Sequence, residues 1–158
     1  MNRTTEKNQT IVQPYLIFGG KCEEAIKFYH DAVGAEVEMM MRFKECPDPC
    51  GCPPDWADKV MHCSLRVGET VIMASDGCWE ERASGFAGFS LSLSVPDEAE
   101  AARRFQALSK GGKVIMPMEK TFFAKTFGMV ADKYGVSWMV IVPAEMPATS
   151  TKLESALA

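Results

Sequence analysis

With 158 residues, 47% of them apolar and 24% charged, the chain can bury a real core, in one domain or in two small fused modules. A formal charge of -4, with Lys and Arg spread out and no basic stripe, argues against nucleic acid as a partner. No stretch approaches the roughly 20 apolar residues of a membrane span, and the opening MNRTTEKNQT lacks the apolar region of a secretory signal, so no membrane partner and a cytoplasmic location are expected.

Residues 1–10 read as a loose N-terminus. Ile11–Phe18 alternates and is rich in β formers, which predicts a strand ended by Gly19–Gly20. KCEEAIKFYHDAVGA then sets Ala25, Ile26, Phe28, Tyr29, Ala32 and Val33 on one helical stripe. Glu23 and Glu24 fall in its first turn, where the helix dipole favours carboxylates, and Gly34 stops it. EVEMMMRF is a second strand. The stretch FKECPDPCGCPPDW and the following ADK predict a long loop, because four prolines between 47 and 54 exclude a helix or a central strand. VMHCSLRV (60–67) and ETVIMAS (69–75) read as a tight hairpin turning at Gly68.

The pattern then repeats. GFSLSLSVPD alternates strictly and reads as a strand, and EAEAARRFQALSKGG is an amphipathic helix from Glu98. Asp97 is its expected cap, and Gly111–Gly112 its stop. KVIMPM is a strand, 118–126 a loop, and FGMVADKYGVSWMVIVP a hairpin turning at Asp132–Gly135. The chain is therefore β-α-β-β-β written twice, in modules 11–78 and 86–142, offset by about 77 residues when Gln13 is laid on Ser90. Residues 143–158 read as a polar tail with a short helix near Leu153.

Cys46, Cys50 and Cys52 are spaced C-x3-C-x-C, unlike the C-x2-C pair of a structural zinc knuckle. A zinc site there needs a fourth ligand from Asp48, Asp55, His62 or a remote cysteine. A reversible dithiol and a plain connection are the other readings. In a reducing compartment no stable disulfide is expected, and Cys22, Cys63 and Cys78 are candidates for small buried hydrophobes.

Three segments, PYLIFGGKCEEAIKFYHDAVGAE, DKVMHCSLRVGETVIMASD and FGMVADKYGVSWMV, together with the doubled βαβββ order, resemble the PhnB-like branch of the vicinal-oxygen-chelate superfamily. That superfamily includes glyoxalase I, bleomycin-resistance proteins and extradiol dioxygenases. Members of the branch are often labelled by similarity to a 3-demethylubiquinone-9 3-methyltransferase. The resemblance implies an α+β fold in which the two modules form a curved mixed eight-stranded sheet around a cleft, with the helices on the outer face. It also implies a homodimer, in which edge pairing or domain swapping is common. The methyltransferase label finds no support in the residues: FGGKCEEA offers only a G-G turn, and the βαβββ order contradicts a doubly wound nucleotide-binding sheet.

In the superfamily's metal-dependent members, a His or Gln near the start of each module's first strand and a Glu near the end of its last hold a divalent ion. Gln13 stands at the first such position, Ser90 at its counterpart, Met139 where the final Glu would be, and Met73 or Ser75 at the remaining one. One plausible ligand of four is left, since serine and thioether are poor partners for a divalent transition metal. No metal is therefore expected at that centre, and the cofactor is unknown.

Period-2 reasoning sorts the faces. Met61, Cys63, Leu65 and Val67 should pack against the helices, leaving His62, Ser64 and Arg66 on the cleft side, with Gln13 and Tyr15 beside them. In the second module Ser90, Ser92 and Ser94 oppose Phe89, Leu91, Leu93 and Val95. Ser137, Met139 and Ile141 face the cleft, and Trp138 the core. His62 is the candidate proton acceptor. Arg66 either holds a carboxylate or phosphate with its fork or reaches an acidic neighbour. Phe122 and Phe123 form a candidate lid, with Lys120 and Lys125 offering charge. Three functions compete: metal-independent small-molecule binding, a metal-dependent lyase, isomerase or dioxygenase acting on a vicinal-oxygen substrate, and a zinc or thiol site in the 46–52 loop.

Overall fold

The computed structural model describes residues 10–47, 51–79 and 85–145. The fold is α+β and consists of two βαβββ units, 1–84 and 85–158. Each unit has one four-stranded mixed sheet. The elements are β1 (Tyr15–Ile17), α1 (Cys22–Val33), β2 (Glu36–Arg42), β3 (Val60–Val67) and β4 (Thr70–Ser75) in the first unit. In the second they are β5 (Leu91–Ser94), α2 (Glu98–Ser109), β6 (Lys113–Glu119), β7 (Ala124–Ala131) and β8 (Ser137–Pro143). Strand orders are β1-β4-β3-β2 and β5-β8-β7-β6, with the first strand of each unit parallel to its last and the other pairings antiparallel. Among the described residues no helix is long and apolar enough to cross a membrane.

In the first unit, Ala25, Ile26, Tyr29, Ala32 and Val33 form the buried stripe of α1. The opposing face of the sheet buries Leu16, Cys63, Leu65, Ile72 and Ala74. Helix and strand periodicities thus meet in one small core. Gly34 ends α1 in the left-handed conformation at φ 68°, and its N–H returns to the carbonyls of His30 and Tyr29. In the second unit Asp97 caps α2 as expected, accepting the Glu100 N–H at 2.8 Å. Trp138, Val140 and Val142 are buried, while Ser137, Met139 and Ile141 are half-buried on the opposite side of β8.

The repeat extends to an irregularity. The β2–β3 ladder skips between Val37 and Met39, and the β6–β7 ladder skips between Val114 and Met116, each 77 positions later. A β-bulge of this kind twists the edge strand of each sheet.

Several boundaries differ from the sequence reading. β1 is three residues rather than eight, because Pro14 has no N–H to give the ladder and Val12 is 94% exposed. β5 likewise begins only at Leu91. The Cys/Pro connection opens with a single 3-10 turn at Phe43–Glu45, before the prolines begin. β6 runs on to Glu119 and β7 starts at Ala124, so the expected loop 118–126 shrinks to 120–123. Pro117 is accommodated in β6 because that strand is an edge. The helix expected near Leu153 lies outside the described residues.

Candidate functional site

The open face of the first sheet gathers the polar side chains. Its register sets Tyr15 beside Met73, Met73 beside Ser64, and Ser64 beside Met39, in one row across four strands. Along the next row Ile17 pairs with Ser75 and His62 with Met41. Paired residues share a face, so Tyr15, Ser64, His62 and Arg66 project away from α1. The Tyr15 hydroxyl lies 2.9 Å from His62 Nδ1, with ring centroids 5.5 Å apart. Desolvation raises the Tyr15 phenol above its ordinary pKa, against a lowering contribution from Ser75, so Tyr15 is a neutral phenol at neutral pH.

Arg66 is engaged within its own unit: its Nε donates to Glu38 Oε1 at 2.6 Å, and Nη2 meets the same carboxylate. Gln13 is half-exposed in the segment before β1. His30 belongs to another surface, with Nδ1 2.9 Å from the Ala35 carbonyl.

The second unit's open face is built differently. Ser92, Met139, Met129 and Met116 form its row across four strands. Ser90 Oγ lies 2.7 Å from Ser137 Oγ. Phe123 packs edge-on against Phe127 at 5.3 Å and against Phe122 at 5.1 Å, while Phe122 is 96% exposed. Where the first unit presents a tyrosine, a histidine and a serine, this face presents thioethers and a phenyl cluster.

The donor set does not fit the superfamily's divalent metal. In the first unit, Gln13 has Tyr15, Met73 and Ser75 around the corresponding strand positions, and in the second Ser90 and Met139 stand there. Neither set contains a carboxylate, and hydroxyl and thioether groups bind hard or borderline divalent ions poorly. Among the described residues, no three His, Cys, Asp or Glu side chains come together as a metal cluster. Cys46 and Cys52 are half-buried; Cys50 and Asp48 lie outside the described residues.

Sequence reasoning missed Asp76. This carboxylate is 1% exposed and accepts three backbone N–H groups: Gly20 at 2.9 Å, Cys22 at 2.7 Å and Val60 at 2.8 Å. It fills the N-terminus of α1, the place where a doubly wound nucleotide binder would seat a phosphate. The strand–Gly-Gly–helix turn is therefore closed by the chain's own anion. The available signal was an aspartate directly after a strand, which turns also favour. Glu23 was read only as a helix-dipole residue, yet Arg42 donates to both its oxygens at 3.0 and 3.2 Å.

A hollow of about 540 Å³ lies on the other side of the unit, between α1 and β2, lined by Ile26, Lys27, His30, Val37 and Met40 among others. It is separate from the Tyr15–His62 pair. At its rim the Glu23 carboxylate is already paired with Lys27 and Arg42. A second hollow, of about 240 Å³, is lined by Glu23, Glu24, Lys27, Arg42, Asp58 and Lys59 among others, and the Tyr15–His62 contact lies apart from both, on the open face of the sheet.

The family model described as 3-demethylubiquinone-9 3-methyltransferase matches residues 10–141. Protein YjdN of Escherichia coli (strain K12) is 36% identical over 146 residues, covering 86% of this chain and 97% of that protein. The crystal structure of protein PA1353 from Pseudomonas aeruginosa is 44% identical with a TM-score of 0.77, covering 85% of this chain and 98% of that one. A putative 3-demethylubiquinone-9 3-methyltransferase, PhnB protein, from Bacillus cereus is 27% identical with a TM-score of 0.70, covering 84% and 99%.

Proposed function

The chain belongs to the 3-demethylubiquinone-9 3-methyltransferase family, within the PhnB-like branch of the vicinal-oxygen-chelate superfamily, and we propose that it binds a small molecule without a metal on the open face of its first sheet. The observation that carries this is the 2.9 Å contact between Tyr15 and His62, two side chains 47 residues apart in sequence that meet on the side of the sheet away from α1. Ser64 and Met73 complete a surface of polar groups on an apolar floor, which suits a small ligand. The donors at the superfamily's chelate positions support metal independence. Methyl transfer forms no part of this reading, because the strand–glycine–helix turn before α1 is filled by Asp76. Ser90, Ser92, Met139, Phe122 and Phe123 make a second, more apolar binding surface on the second unit. A homodimer in the cytoplasm is the expected working form.

The test is a thermal-shift panel of small oxygenated and aromatic compounds on the wild type, His62→Ala and Tyr15→Phe, alongside metal analysis of protein purified without added metal. A ligand at 100 times its Kd adds about 2.7 kcal/mol, a shift of roughly 5–10 °C for a chain of this size. An unchanged shift in both variants would remove these residues from the site. Stoichiometric retained metal would overturn metal independence.

A further inference from the structure

The end of α1 fixes the proton of a histidine. Gly34 turns the chain back in the left-handed conformation, and the Ala35 N–H returns to the Tyr29 carbonyl at 3.2 Å. The same turn brings the Ala35 carbonyl to 2.9 Å from His30 Nδ1. A backbone carbonyl can only accept, so the proton of this contact sits on Nδ1. A neutral imidazole with Nδ1–H keeps its lone pair on Nε2. Beyond the helix end, His30 is therefore an acceptor.

His30 lines the hollow of about 540 Å³ between α1 and β2, a volume within the usual range of small-ligand sites. Its apolar wall is made by Ile26, Val37 and Met40. Asp31 stands beside His30 in the lining, and none of the ion pairs among the described residues uses its carboxylate. The other charged groups there, Glu23 and Lys27, are 3.7 Å apart and answer each other. One lone pair and one negative charge are left over, next to an apolar wall. Among the described residues no third metal-ligating side chain joins them as a cluster, so the two acceptors suit an organic donor.

We propose that this hollow is a binding site for a small organic ammonium, a primary amine on an apolar body. The ammonium donates to His30 Nε2 and to the Asp31 carboxylate, while its carbon skeleton lies on Ile26, Val37 and Met40. The site is separate from the Tyr15–His62 surface and does not depend on what that surface binds.

The tautomer is read first, from two-bond 1H–15N spectra of the intact protein labelled with 15N-histidine, above the pH of histidine titration. The expected form of His30 is Nδ1–H with Nε2 unprotonated, and an Nε2–H form overturns the proposal. Phenethylamine, still protonated at that pH, and 3-phenylpropionate are then titrated separately. Phenethylamine should move the His30 Nε2 and Met40 methyl resonances and leave His62 in place. Asp31 is exposed, so Asp31→Asn tests the charge without touching the core and should weaken the amine about threefold or more. His30→Phe should weaken it roughly tenfold. Unchanged affinity in Asp31→Asn, or equal binding of 3-phenylpropionate, would overturn the acceptor chemistry. Movement of His62 in place of His30 would put the amine on the open face and overturn this site, as would no response to phenethylamine.

Discussion

The Asp76 carboxylate accepts the Cys22 backbone N–H at 2.7 Å, and so closes the start of a helix whose own N-cap, Lys21, makes no side-chain cap. The same oxygen takes the Gly20 N–H and the other oxygen takes the Val60 N–H, which ties together the β1–α1 turn, β3 and β4. Asp76→Asn keeps the volume but turns one acceptor into a donor facing a backbone N–H. Leaving a buried donor unmatched in this way should lower unfolding stability by about 2–4 kcal/mol, read from urea unfolding. A loss under about 0.5 kcal/mol would show that the turn is held by other contacts.

What the sequence discloses of this protein follows the range of the interactions. The alternation in VMHCSLRV and the apolar stripe in EEAIKFYHDAV are local, and they place β3 and α1 within a residue or two. Asp97 announces itself as a cap because its acceptor role reaches only to Glu100. Asp76 does not, since two of its partners lie 56 and 54 residues upstream. Side-chain parity put Ser64, His62 and Arg66 on one face. It could not show that Glu38, 28 residues away, takes the Arg66 fork, nor that Tyr15 lies against His62. The bulge that shifts the register after Val37 leaves no mark in EVEMMMR at all.

Glu23 gives a pH signature. The Arg42 guanidinium hydrogen-bonded to it holds its carboxyl below the ordinary carboxylate range, against a smaller opposing effect of burial. A depressed folded pKa means that the unfolded chain binds more protons. The stabilisation is therefore present at neutral pH and is lost as pH falls through the folded value. The Glu23 side chain is 44% exposed, so solvent screening limits the effect to about 0.5–1 kcal/mol. Glu23→Gln should cost that much at pH 7 and almost nothing at pH 3, and added salt should shrink the difference at pH 7. Parallel stability curves for the two proteins between these pH values would mean that the pair contributes nothing.

The thiols divide by burial. Cys22 and Cys63 are fully buried. Desolvation pushes the Cys63 thiol up to about 11 and the Cys22 thiol higher still, where Asp76 adds to it. Thiolate is the reactive species, so both should resist N-ethylmaleimide in the native protein. Cys78 is exposed and should be alkylated. Peptide mass spectrometry after native labelling reads this directly. Labelling of Cys22 or Cys63 at the rate of Cys78 would contradict their burial, whereas labelling only after denaturant is added is the expected result.

Gly128 connects the helix packing of the second unit to its open face. It pairs with Val140 on β8, and a Cβ built on it would stand 2.9 Å from Phe105 Cε2, 2.6 Å from Met118 Sδ and 3.2 Å from the Met116 carbonyl. The methionine sulfur is the end of a flexible side chain and can swing away. The Phe105 ring belongs to α2 and the Met116 carbonyl to an edge-strand backbone, and neither yields so easily. Overpacking of this kind costs about 1–3 kcal/mol, so Gly128→Ala should lower unfolding stability by that amount. Phe105→Leu in the same background should recover part of the loss, giving a coupling energy of at least about 0.5 kcal/mol in a double-mutant cycle. Additive losses would locate the collision at the Met116 backbone instead. Because Met129 follows Gly128 in β7 and pairs with both Met116 and Met139, displacement of this strand should also move the methyl resonances of those three methionines. Unmoved methyl resonances alongside the expected stability loss would show that the open face is insulated from the helix side of its own sheet.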